Sequence, residues 1–197
     1  MANNRLQAKD LITIGIFSAI YFVLNFAVML LSGLHPLIWI LLPAILAVIT
    51  GIPFMLMTTK VQKAGAVVIM GVITALIYFA TGQFTLVLLI TFALSCILAE
   101  IVRYCTHYNS FKGNALSFAF FSLGMCGSPL PLWLFTDDFC AQMLSQGISE
   151  SYVTAVQTLT SPLMLVIFVV APFVLAFLGA FIAKIFFKKH FEKAGIV

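Results

Sequence analysis

The chain has 197 residues, of which 63% are hydrophobic and only 8% charged, whereas about a quarter of a soluble domain is charged. Together with a mean hydropathy of +1.17, this excludes a soluble globular domain. The net charge of +4 tracks where cations sit between apolar runs, and it does not describe a nucleic-acid-binding surface.

Arg5 and Lys9 precede the first apolar run, Leu11–Leu31. At 1.5 Å per residue this run reaches about 30 Å, enough to cross the hydrocarbon layer. It exceeds the roughly 7–15 residues of a secretion-signal core, so it reads as an uncleaved first helix. Ser32–Pro36 is a short turn with Gly33 and Pro36 as breakers. The second span covers about 37–57, where Pro43 and Pro53 predict a kink or a broken helix. The third spans about 65–80 and the fourth about 84–103, joined by Thr81-Gly82-Gln83. The fifth covers about 114–135 and ends in a Gly- and Pro-rich stretch, Gly124–Pro131, unsuited to regular helix. In the segment Thr136–Ser161, Phe139, Met143, Leu144 and Ile148 alternate with polar residues, predicting a short amphipathic helix on the outer surface. The sixth span, about 162–187, runs into a basic tail.

The ten Lys and Arg residues alternate perfectly with these runs. Arg5 and Lys9 lie before the first, Lys60 and Lys63 between the second and third, and Arg103 and Lys112 between the fourth and fifth. Lys184, Lys188, Lys189 and Lys193 close the sixth. The other connections carry no base, and the longest holds Asp137, Asp138 and Glu150. Basic residues flanking spans stay in the cytoplasm. The expected fold is therefore an all-α integral membrane protein in a single membrane domain, residues 1–197. It is a bundle of six transmembrane helices with N and C termini cytoplasmic and a short external amphipathic segment between helices 5 and 6.

Catalytic signatures are absent. There is no GxxxxGK[ST] nucleotide loop. Glu100, the sole acid within a span, stands three residues before Arg103 and is expected to pair with it at the interface. Asp137-Asp138 reads as a solvated loop doublet, and Cys105-Thr106-His107 is too small for a metal site alone. Cys140 is external without an external partner, so no disulfide framework is expected.

Topology brings polar and aromatic side chains to similar depth in the outer half: Asn25, Met29, His35, Trp39, Thr74, Tyr78, Gln83, Thr85, Ser122, Met125 and Ser128. Asn25 within an apolar helix needs a hydrogen-bond partner, either a neighbouring helix or a ligand. Trp39 and Tyr78 also suit an interfacial aromatic belt. The case for a pocket rests on convergence. In the inner half of the first helix, Gly15 and Ala19 stand four apart on one face beside Ser18. Small residues at this spacing admit a close helix, of the same chain or of another subunit.

The chain resembles a substrate-binding S component of an energy-coupling factor (ECF) transporter, of the MptD-like (Trep_Strep) group. The residues carrying the resemblance are Lys9–Tyr21 (KDLITIGIFSAIY), Ala99–Arg103 (AEIVR) and Ser110-Phe111-Lys112. The resemblance implies six helices, capture of a small nutrient from outside, and a gating loop between helices 1 and 2. It further implies docking through a small-residue AxxxA-type motif on a shared transmembrane coupling subunit that carries two cytoplasmic ATPase subunits, in a bacterial plasma membrane. Ala19 falls on one motif position and Gly15 on the other, the departure to Gly preserving smallness. No intrinsic cofactor is expected, and the chain itself is not expected to be an enzyme. The ligand is left open between haem and a vitamin-like compound. If it is haem, His35 is the candidate axial ligand, with Met29, Tyr78 and Met125 flanking it; otherwise His35 is a surface histidine in a turn before proline. A stand-alone secondary carrier, or a small polytopic membrane enzyme, are the alternatives.

Overall fold

The computed structural model describes residues 5–80 and 85–187. Among the described residues the chain is helical throughout, without strands. The helices are α1 (Ala8–Ser32), α2 (Pro36–Ile40), α3 (Leu42–Ile49), α4 (Gly51–Lys60), α5 (Ala66–Ala80) and α6 (Leu86–Cys105). They continue as α7 (Phe111–Ser122), α8 (Pro131–Leu134), α9 (Thr136–Ser145), α10 (Glu150–Thr158) and α11 (Pro162–Phe186), with a 3-10 turn, Leu123–Gly127, after α7.

Three helices, α1, α6 and α11, are long and apolar enough to cross a membrane, and α3 with α4 forms a fourth if the bent pair counts as one span. The outward faces explain why the bundle needs lipid. Ile12, Ile16, Ile20, Val23 and Leu30 of α1 are exposed, as are Leu163, Val166, Val170, Val174 and Phe181 of α11. A helix apolar on both its packed and its outward face fits a hydrocarbon surrounding.

The expected second span is broken into three pieces. α3 and α4 meet at a 48° bend around Thr50. Both prolines sit in the first turn after a break, Pro43 in α3 and Pro53 in α4, where a missing N–H costs no intrahelical bond. Pro172 is different, lying inside α11. A proline there leaves the carbonyl four residues earlier without its donor. That carbonyl belongs to Phe168, and the Cys126 thiol donates to it at 3.8 Å.

Small residues make the tightest crossing, though not where the first helix suggests. A Cβ on Gly51 would stand 2.5 Å from the Gly179 carbonyl carbon, and one on Gly179 would strike the Ala47 carbonyl. The α3–α4 break and α11 therefore meet backbone to backbone, a contact only glycine permits. Beside it, Phe54, Phe118, Phe121, Phe92 and Tyr21 form an aromatic core with ring centroids 4.9–5.5 Å apart.

Lys63, Arg103 and Lys184 lie at one end of the bundle, where α4 ends, α5 begins and α6 and α11 finish. The expected Glu100–Arg103 pair does not form. The Glu100 carboxylate instead accepts from the Gly65 and Val67 amides at 2.8 and 3.2 Å, capping the start of α5. Arg103, fully buried, donates to the Val61 carbonyl at 2.7 Å, to the Thr58 carbonyl at 3.4 Å and to Asn114 Oδ1 at 3.3 Å. An anion at a helix start and a cation at a helix end both oppose the helix dipole, and the free backbone groups there accept them as partners. The α4–α5 turn is also tied to α1 by the Lys63–Asp10 ion pair at 2.6 Å. At this end Lys184 of α11 lies 5.1 Å from the centre of the Phe111 ring.

The segment Thr136–Ser161 forms two helices, not one, folded across the opposite end. Gly147, with φ of +83°, makes the reversal. Their inner residues Cys140, Met143, Val153 and Val156 pack with Ile40, Leu132 and Phe168 in a second core.

Candidate functional site

A cavity of about 670 Å³ opens between the main bundle and the α9–α10 layer. The bundle contributes Met29, Leu30 and Ser32 from α1, Trp39 from α2, Leu42 from α3 and Tyr78 from α5. Thr85, Leu88, Met125 and Ser128 complete that wall. The facing wall is Phe139, Gln142, Met143, Gln146, Ile148, Ser149 and Tyr152.

Local chemistry sets this frame. Thr85 caps α6 by accepting from the Leu88 amide at 3.1 Å, and Ser149 caps α10 by accepting from the Tyr152 amide at 3.4 Å. Both hydroxyls satisfy helix-start amides that would otherwise be orphaned. Trp39 stacks on Phe139 with ring planes 10° apart and centroids 6.0 Å apart, joining α2 to α9. The Tyr152 hydroxyl donates to the Ser32 carbonyl at 2.9 Å, joining α10 to the end of α1. Burial pushes the Tyr152 phenol above its usual range.

Of the residues expected to converge, Met29, Trp39, Tyr78, Thr85, Met125 and Ser128 line this one cavity. Asn25 is fully buried behind the wall; its amide donates to the Tyr21 carbonyl at 2.8 Å, and its oxygen accepts from the Tyr78 hydroxyl at 3.2 Å. Asn25 thus positions Tyr78. Thr74 and Ser122 turn back onto the carbonyls of Met70 and Phe118 on their own helices. His35 is exposed and outside the lining, and its Nδ1 accepts from the Leu37 amide at 3.1 Å as the cap of α2. Gln83 lies outside the described residues.

Sequence reasoning missed the α9–α10 wall, above all Gln142, Gln146 and Tyr152. The available signal was the Gln142/Gln146 spacing of four, followed by Gly147. Among the described residues no group of three or more His, Cys, Asp or Glu could hold a metal ion.

On α1, Ser18 faces inward, its hydroxyl donating to the Ile14 carbonyl at 2.7 Å. Ala19 is exposed, and a Cβ on Gly15 would meet nothing within 4 Å. Among the described residues, no helix fills the Gly15/Ala19 face.

A helical bundle with lipid-compatible outer faces and a cavity at one end defines an integral membrane protein with a candidate ligand chamber. The family model Trep_Strep, described as a hypothetical bacterial integral membrane protein, matches residues 8–193. The chain belongs to that family. No curated protein and no solved structure matches it.

Proposed function

We propose that this chain is the membrane-embedded substrate-binding subunit of an ATP-driven importer of the energy-coupling factor type. It captures a small nutrient in the cavity beneath α9 and α10 and docks on a transmembrane coupling subunit served by two cytoplasmic ATPases. The observation that carries this reading is the cavity of about 670 Å³ at the end opposite the basic residues. Its size is within the range of small-molecule sites.

In this reading the chain crosses the membrane six times. The spans are α1, α2–α4 together, α5, α6, α7 with its 3-10 extension and α8, and α11, with both termini in the cytoplasm. The sorting of basic residues to one end supports this orientation, because cations flanking spans are retained inside. The cavity then opens to the exterior, where a nutrient is met. The lack of a nucleotide-binding loop agrees with ATP hydrolysis by separate subunits. The unfilled Gly15/Ala19 face provides a place for the coupling subunit, since small side chains let backbones approach closely.

Native mass spectrometry of the purified chain is the direct test: a retained small molecule, lost when Ser128→Trp fills the cavity, is the expected result. Ala19→Trp is expected to abolish co-purification with the coupling subunit while leaving that molecule bound. Ion-gradient-driven uptake by the chain alone in liposomes would replace this reading with a stand-alone carrier.

A further inference from the structure

We infer that the cavity selects an uncharged ligand with an apolar, aromatic-compatible body and an uncharged polar end. This rests on the cavity being the ligand site proposed above. Among the described residues, none that lines it is Asp, Glu, Lys, Arg or His. Both walls combine apolar surface with uncharged polar side chains.

On the bundle side Trp39, Tyr78, Met125, Leu42 and Leu88 stand beside the hydroxyl residues Ser32, Thr85 and Ser128. Ring faces and thioethers gain contact with a hydrocarbon or aromatic body, and methionine adapts to irregular outlines. On the α9–α10 side, Gln142 of α9 and Gln146 at its C-terminal cap both line the cavity. A carboxamide both donates and accepts, so the pair matches an amide, hydroxyl or carbonyl without demanding charge.

Charge complementarity argues the exclusion. An ion leaving water for this chamber would find no opposite charge in the lining, and unpaired charge is costly to desolvate. Anions are disfavoured further, because the charged groups flanking the lining segments, Asp137, Asp138 and Glu150, are exposed acids. Haem illustrates the conflict: its propionates would find no cation in the lining, and His35 lies outside it.

The test uses one fluorophore in three charge states. Dansylamide is neutral, dansylglycine anionic and dansylcadaverine cationic, and each brightens on leaving water. Titrations use the full chain in phosphatidylcholine nanodiscs, with Ser128→Trp as the filled-cavity control. Dansylamide should bind at least tenfold more tightly than either charged probe, and its signal should vanish in Ser128→Trp. Gln142→Lys should gain dansylglycine at least tenfold, and Gln142→Glu should gain dansylcadaverine likewise; these exposed substitutions serve if the tryptophan variant does not fold. A charged probe that wins in the unmodified protein and is lost in Ser128→Trp overturns the neutral preference while leaving the site intact. If no probe distinguishes the unmodified chain from either Ser128→Trp or the Gln142 variants, the site reading falls, and the neutral preference with it.

Discussion

The two ends of the bundle are built on opposite principles. At the basic end Glu100, Arg103, Lys63 and Asp10 meet backbone groups and one another at 2.6–3.4 Å around a single turn. At the other end α9 and α10 are joined to the bundle by an apolar core around Ile40, Leu132 and Phe168, by the Trp39–Phe139 stack and by the Tyr152–Ser32 hydrogen bond, beside an open volume. The first arrangement fixes helix ends by direct contact. The second packs an apolar core and leaves an open volume beside it. Buried polar groups are tolerated at both ends, but only the basic end buries charge.

The comparison can be broken at its most rigid point first. Gly179→Leu should destabilise the protein by about 3 kcal/mol or more, because backbone atoms of Ala47 and Val48 cannot move aside; loss of monodisperse protein in size-exclusion chromatography reads this out. Arg103→Leu comes next. It strands the Thr58 and Val61 carbonyls, and at about 1–3 kcal/mol per unsatisfied buried group the thermal midpoint should fall clearly. Tyr152→Phe removes one bond to Ser32, worth about 1 kcal/mol, and should raise hydrogen exchange in α10 alone. Met125→Leu in the cavity wall, a volume-conserving change, should cost less than about 1.5 kcal/mol while altering dansylamide affinity. Equal sensitivity of Met125 and Arg103 would erase the distinction between the ends.

The smallest effect is pH-dependent. The Tyr152 phenol is raised by burial, so the unfolded segment ionises first as pH climbs past the ordinary tyrosine value of about 10. Stability that α10 contributes below that pH is then lost above it. The Tyr152→Phe variant should lack this alkaline component in melting curves.

Much of this architecture was legible from the chain. α1, α6 and α11 announce themselves by length and unbroken apolarity, and the convergence of Met29, Trp39, Tyr78, Met125 and Ser128 followed from depth alone. The Glu100–Arg103 pair did not, because spacing on one helix reports which groups can meet and not which helix ends approach from elsewhere. Free backbone groups at the ends of α4 and α5 were the better partners. The α9–α10 wall was likewise hidden: an amphipathic pattern says that one face is covered, and the covering elements are set by tertiary packing. The small-residue rule held but found its close crossing at Gly51 and Gly179, while Gly15 stayed open.

The Cys126–Phe168 contact turns an ordinary-looking thiol into a splint. Pro172 opens a gap in the ladder of α11, and sulfur closes it from outside the helix. Swapping Cys126 for alanine should leave the Phe168 carbonyl without that donor and raise hydrogen exchange in α11 around Pro172.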